Sequence, residues 1–333
     1  MAFPKPTSTE NDDPWAEVAA AARMLSQRST PSCATTTAIQ SRSSTSPNDP
    51  PPNDPKPSTT LPAINTTLFT TVDTLLPFST ATTILDTGCG SGAITSALIA
   101  AHGPYIPKSA TLLAGDTSAA MLANFRALRD EKLRSQLARD DEARSLWEKI
   151  RIERIDAQTL EGVEDGSVSH VLSGHVYFLL EDYDGALRET ARVLRAGGVV
   201  GMTTGTGSEH LEALEWAVEQ VRPETGLRCI KEEWRTREGV EGVVRRAGFE
   251  GVEVREVESE MRFGEGEARG LAGILVVIPV VKEVVAGWRA EEKEKLVDLL
   301  AEEVERRGGD GRVLKGSNFV TVGRKPSQAS AVA

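Results

Sequence analysis

Basic residues are in short supply: 38 Lys and Arg stand against 49 Asp and Glu, a formal charge of −11. Phosphate backbones are held by clustered Lys and Arg, so no nucleic-acid partner is expected. Cysteine is scarce, odd in number and widely spaced (Cys33, Cys89, Cys229), which argues against a disulfide framework and for a reduced, cytoplasmic chain. The four histidines show neither H-x-x-x-H nor a His/Cys spacing, so no metal site is expected. The longest apolar run, residues 271–281, is broken by Pro279 and falls well short of the ~20 residues that a membrane span needs. A secretory leader is not expected either, since the chain opens Met-Ala-Phe-Pro-Lys-Pro with acids at Glu10, Asp12 and Asp13. Those acids and prolines also speak against a transit peptide, although residues 16–42 are Ala-, Ser- and Thr-rich and carry Arg23, Arg28 and Arg42.

What the chain does have is one organising stretch, Thr-Ile-Leu-Asp-Thr-Gly-Cys-Gly-Ser-Gly at residues 83–92. Thr83, Ile84 and Leu85 read as a short buried strand. Gly88, Gly90 and Gly92 then alternate, and a small-residue helical pattern follows through Ala93, Ile94, Ala97, Leu98 and Ala100. Bare backbone between a strand and a helix lets a ligand come closer than any Cβ would allow. Asp86 adds a carboxylate at the strand's end, which suits a ligand bearing a cation or hydroxyls better than a pyrophosphate. By spacing alone the loop also fits the G-x-G-x-x-G/A dinucleotide fingerprint.

Residues 1–60 are rich in Pro, Ser, Thr and Asn and predict a disordered tail and linker, with one short helix over residues 15–27 begun by Asp13 and Pro14. Folded sequence is expected from residue 61, where Leu68, Phe69, Val72, Leu75 and Leu76 have helical spacing ahead of Pro77. Strands then alternate with helices. Strands are predicted at 111–116, 150–155, 168–173 and 199–204, and helices at 118–148 and 183–194, which calls for a parallel sheet covered on both faces. Helices at 209–221 and 238–247, a strand at 252–257, a mostly helical stretch at 270–307 and a last strand at 318–322 complete the order. Residues 205–250 and 270–307 are expected to cover the crevice at the strands' carboxyl ends, and 326–333 to form a flexible tail.

Four motifs in this order resemble the class I S-adenosylmethionine-dependent methyltransferases. They are residues 84–92, Ala-Gly-Asp-Thr-Ser-Ala-Ala-Met-Leu at 114–122, Asp156-Ala157, and Ala-Arg-Val-Leu-Arg-Ala-Gly-Gly at 191–198. The resemblance covers residues 61–325 and is nearest to the small-molecule branch related to ubiquinone and menaquinone biosynthesis and to fungal secondary-metabolism tailoring enzymes. It implies an α/β fold, a Rossmann-like seven-stranded sheet with an antiparallel edge strand and helical cover insertions. It also implies S-adenosyl-L-methionine as cofactor and a small-molecule acceptor.

By that resemblance Gly88, Gly90 and Gly92 would lie against the cofactor's methionine part, with Cys89 as a small packing residue among them. Asp86 would help hold the ammonium. Asp116, with Thr117 beside it, would take both ribose hydroxyls, as a two-oxygen carboxylate can. Asp156 would accept from the adenine amino group next to Ala157, and Ser173 would face the methionine carboxylate or ammonium. The spacing from Asp86 to Asp116 is longer than the roughly 20 residues of a dinucleotide unit, the excess falling in the Gly/Pro-containing loop 102–108. His175, where the fourth strand opens onto the crevice, is the candidate catalytic base. Asp86 and Asp116 also have an ordinary reading as helix-capping carboxylates. An NAD(P) oxidoreductase, a cofactor-binding regulator without activity, and a protein methyltransferase are the rival functions.

Overall fold

The computed structural model describes residues 60–135 and 141–327. The helix expected over 15–27, the linker and the last residues of the tail lie outside that range. The described chain opens with α1 (Thr60–Leu75), then runs β1 (Thr83–Thr87), α2 (Ala93–His102), β2 (Thr111–Asp116), α3 (Ala119–Arg134), α4 (Asp141–Lys149) and β3 (Arg151–Arg154). It continues through β4 (Val168–Gly174), α5 (Tyr183–Val193), β5 (Leu194–Ser208), α6 (Glu209–Val221), α7 (Arg237–Arg246) and β6 (Glu250–Arg262). The last elements are α8 (Ala268–Leu275), α9 (Pro279–Val284), α10 (Ala290–Gly308) and β7 (Val313–Arg324).

All seven strands form one sheet in the order β3-β2-β1-β4-β5-β7-β6. β1 to β5 are mutually parallel, and β7 runs against both β5 and β6, so the antiparallel pairing expected at the edge is there, with β6 outermost. Strand order reverses between β1 and β4. Open α/β sheets hold their ligands at such a switch point, beyond the strands' carboxyl ends.

Alternate strand residues feed two apolar layers. Ile84, Leu112, Leu172 and Val199 join the layer under α1 to α4, with Leu68, Phe69, Val72, Leu98, Phe125 and Trp147. Leu85, Leu113, Val171 and Val200 join the opposite layer under α5, α6, α7 and α10. This is the period of two that a sheet buried on both faces requires.

Three expectations need adjustment. The helix predicted over 118–148 is described as two elements, α3 and α4, and residues 136–140 between them lie outside the described residues. The stretch 270–307 breaks into α8, α9 and α10, with Pro279 opening α9, where its missing N–H costs nothing. β5, β6 and β7 outrun their predicted bounds at both ends. Most of the added residues are polar or glycine while the backbone ladder continues, with Arg262 paired to Glu260 along the edge strand.

The cover is locked by packing and charge. Leu296, Leu300 and Val304 of α10 are buried against the layer that also holds Leu214 and Val218 of α6. Arg222 meets Glu292 at 2.9 Å at one end of this antiparallel pair, and Arg307 meets Glu212 at 2.8 Å at the other. Trp234 is fully buried, Trp288 lies under Arg222 at 5.2 Å, and both anchor the cover as core residues.

Candidate active site

Register places the predicted acids side by side. Asp86 pairs with Ala114 and Leu172, Asp116 pairs with Arg154, and Ile155 N–H donates to the Asp116 carbonyl at 3.2 Å. Asp86, Asp116, Asp156 and Ser173 therefore stand at the carboxyl ends of four neighbouring strands. The glycine loop crosses above them, anchored by Cys89 N–H to the Gly115 carbonyl at 2.9 Å.

Asp116 is half-buried and structural as well as available. Its Oδ2 accepts from Gly90 N–H at 2.8 Å, and its Oδ1 accepts from Ser118 N–H at 2.8 Å. Ser118 in turn caps α3 through Met121 N–H. Thr117 is exposed beside it. Asp156 uses Oδ1 to accept from Gln158 N–H at 2.9 Å, and Ala157 is buried next to it.

Asp86 is buried and divided between two duties. Oδ2 accepts from Thr95 N–H at 3.1 Å and from Thr95 Oγ1 at 2.6 Å, in the first turn of α2, while Oδ1 has no partner. Burial pushes its pKa up to about 7, and the neighbouring Asp116 carboxylate adds to that against the lowering effect of the two Thr95 bonds. The helix-capping reading thus holds for one oxygen and leaves the other unsatisfied. Ser173 is fully buried, and its Oγ too has no partner. Burial drives the Cys89 thiol pKa far upward, as befits a packing residue and not a nucleophile.

His175 leaves this row and points to the other strands. Its backbone takes φ +60°, unusual for a side-chain-bearing residue. Nε2 lies 2.8 Å from Asn318 Oδ1 and Nδ1 lies 3.0 Å from Thr203 Oγ1, so both ring nitrogens are engaged within the protein. With the amide oxygen of Asn318 facing the ring, Nε2–H donates and Nδ1 accepts from the Thr203 hydroxyl. Burial lowers the His175 pKa, so the ring is neutral at pH 7. Thr95, Thr203 and Asn318 are the residues that sequence reasoning missed. The one signal was a lone Asn opening an apolar strand.

The aliphatic run 274–278 is largely committed to the cover: Leu275 is buried, and Val276 and Ile278 pack on the same layer. Phe178 lies edge-on to His175 at 6.2 Å, and it flanks the bare backbone of Gly205 together with Ile230, both side chains being buried.

Residues 85–202 match a family described as a methyltransferase domain. Methyltransferase ucsB of Acremonium sp is 30% identical over 233 residues, covering 70% of this chain and 78% of that protein. The chain belongs to the class I S-adenosylmethionine-dependent methyltransferases. Two further relatives are methyltransferase tpcH of Aspergillus fumigatus, 23% identical over 252 residues (73% of this chain, 84% of that one), and methyltransferase ktnA of Aspergillus niger, 23% identical over 271 residues (73% and 84%). These fungal relatives favour the methyltransferase reading of the glycine loop over the dinucleotide one, and the methyltransferase acts on a small molecule with S-adenosyl-L-methionine as cofactor.

The residues of this methyltransferase suit that cofactor. Two buried polar atoms, Asp86 Oδ1 and Ser173 Oγ, lack protein partners beside a glycine loop. A Cβ built on Gly90 would meet no protein atom within 4 Å, so the middle of the loop is bare. No group of three or more His, Cys, Asp or Glu with metal-site geometry occurs among the described residues.

Proposed function

We propose that this methyltransferase moves the cofactor's methyl to an O, N or C atom of a small, partly apolar metabolite. The observation that carries the site assignment is the pair of unpartnered buried atoms, Asp86 Oδ1 and Ser173 Oγ, next to the bare backbone of Gly90. Asp116, with Thr117 alongside, takes the ribose hydroxyls, and Asp156 with Ala157 takes the adenine. Ser173 and Asp86 receive the methionine end, against the backbone of Gly88, Cys89, Gly90 and Gly92. When bound, S-adenosyl-L-methionine supplies an already activated methyl on a sulfonium.

What the protein adds is position and dryness. Asp116 holds the loop in shape before any ligand arrives, so little reorganisation is left to the complex. Residues 205–250 and 270–307 close the acceptor side. His175, held by Thr203 and Asn318, acts as a fixed contact. The buried, widely separated thiols Cys89 and Cys229 support a reducing, cytoplasmic location. No helix among the described residues is long and apolar enough to cross a membrane.

The catalytic unit begins at about residue 61. A chain starting at Lys56 should fold and bind S-adenosylhomocysteine as the full chain does, whereas one starting at Pro77 should not fold, since it lacks the buried Leu68, Phe69 and Val72 of α1. Loss of binding on the shorter cut would move that boundary. For the function itself, fungal extracts incubated with S-adenosyl-L-methionine, with and without the enzyme, should differ by a metabolite heavier by one methyl. A methylated protein and no small product would overturn the reading.

A further inference from the structure

β5 outruns β4. Gly174, the last residue of β4, pairs with Thr203, yet β5 continues to Ser208, still paired there with Gly316 of β7. The overhang makes a wall above the acceptor side of the crevice, and most polar groups on it are paired with one another. Thr206 Oγ1 bonds Ser317 Oγ, the Glu209 carboxylate accepts from Lys315 N–H at 2.6 Å, and His175 is shared between Thr203 and Asn318.

His210, the second residue of α6, is different. Its Nε2 lies 3.2 Å from Ser208 Oγ, the hydroxyl that also accepts Leu211 N–H at 3.4 Å as the helix cap. Its Nδ1 has no hydrogen-bond partner among the described residues and is reached by solvent, on the segment that follows the carboxyl end of β5. Burial first, and the nearby His175 second, hold its pKa down to about 4, so it is uncharged across the physiological range.

We propose that His210 is the docking point for the acceptor's polar group: Nδ1 shares a hydrogen bond with the hydroxyl or amine that receives the methyl. This rests on the small-molecule reading above and deepens it. The acceptor is then a neutral molecule with a hydroxyl or amine on a partly apolar body. A ring tied at one nitrogen and open at the other fixes direction, which an untethered side chain would not. Next to a cationic methyl donor, an imidazole that stays neutral is also the less costly neighbour.

The test uses the full chain, tritiated S-adenosyl-L-methionine and fungal extract as the source of acceptor. His210→Phe keeps a flat ring without nitrogens, and His210→Asn returns an amide close to the Nδ1 position. His210→Phe should lose about 10- to 100-fold in methyl transfer to organic-soluble product, as expected for one substrate hydrogen bond, and His210→Asn should stay within about tenfold. Both should keep the melting shift given by S-adenosylhomocysteine. Independently of turnover, diethyl pyrocarbonate should label His210 of the wild-type chain well ahead of His175 and His170, whose ring nitrogens are engaged. Wild-type rates in His210→Phe, or labelling of His175 first, would overturn the assignment, and the labelling order decides alone should the Phe variant not fold. Absence of transfer by the wild-type chain would instead bring down the small-molecule reading, and this assignment with it.

Discussion

The backbone N–H of Gly90 donates to Oδ2 of Asp116 at 2.8 Å, so the acid that ends β2 also holds the middle glycine of the loop after β1. The ribose-binding candidate is therefore part of the loop's own scaffold. S-adenosylhomocysteine at a hundredfold its dissociation constant should stabilise the wild-type fold by about 2.7 kcal/mol. Asp116→Ala should remove most of that shift and also lower the stability of the free protein by ~1–3 kcal/mol, because two N–H groups lose a charged acceptor. Melting curves of both proteins, with and without S-adenosylhomocysteine, decide it. A shift with NADH in its place would contradict the cofactor assignment.

Gly90 and Gly92 separate ligand binding from folding. Both have positive φ, +53° and +90°. A Cβ on Gly92 would stand 2.3 Å from the buried Phe125 ring, whereas one on Gly90 would meet nothing. Gly92→Ala should destabilise by several kcal/mol, combining strain with a core clash. Gly90→Ala should cost only the left-handed penalty of ~1–2 kcal/mol, and yet lose cofactor binding, since the new methyl stands on the bare surface. Denaturant unfolding beside cofactor titration tests the contrast. Equal losses of stability in the two variants would refute it.

Asp86 predicts how stability changes with pH. Its folded pKa of about 7 lies above the ordinary carboxylate value near 3.9, so in that interval the native state binds a proton that the unfolded chain has released. Stability of the ligand-free protein should accordingly fall as pH rises from about 4 through 7. Asp86→Asn keeps an acceptor for Thr95 and abolishes the charge. It should flatten that slope, be more stable than wild type at pH 8, and bind S-adenosylhomocysteine more weakly. Unfolding series at pH 5 to 8 would show it, and a slope unchanged by the substitution would assign the effect elsewhere.

The fold was legible where side chains and backbone agree. Leu112, Leu113, Val171 and Leu172 are buried on both faces of parallel strands, so each strand reads as an apolar run between turn signals. It was less legible in the overhang of β5, β6 and β7, where the ladder persists over polar residues. The acids at the strand ends were visible as types and positions. Their partners were not, because the Gly90–Asp116 bond spans 26 residues and the His175–Asn318 contact spans 143, and no local pattern encodes either. His210 reads in sequence as an ordinary residue of a helix start, and only the run of β5 beyond β4 sets it near His175.

His175 is the sharpest case, since the sequence suggests a base and the geometry suggests a fixed contact. Both nitrogens are engaged, and a ring whose lone pair already accepts from Thr203 has none to offer an acceptor. His175→Ala should therefore leave cofactor affinity within about threefold, under ~1 kcal/mol. It should reduce single-turnover rate by less than the ~10²-fold that marks the loss of a general base. The larger cost should be to stability, because Thr203 and Asn318 are buried and would each lose a partner, at about 1–3 kcal/mol. His175→Gly should be the more stable of the two truncations, since φ +60° suits glycine and strains alanine. Asn318→Ala, which frees Nε2 without removing the ring, should mimic the small rate effect of His175→Ala. A rate loss well above ~10²-fold in His175→Ala with cofactor affinity intact would restore the base, and collapse of cofactor binding would make His175 a cofactor contact instead.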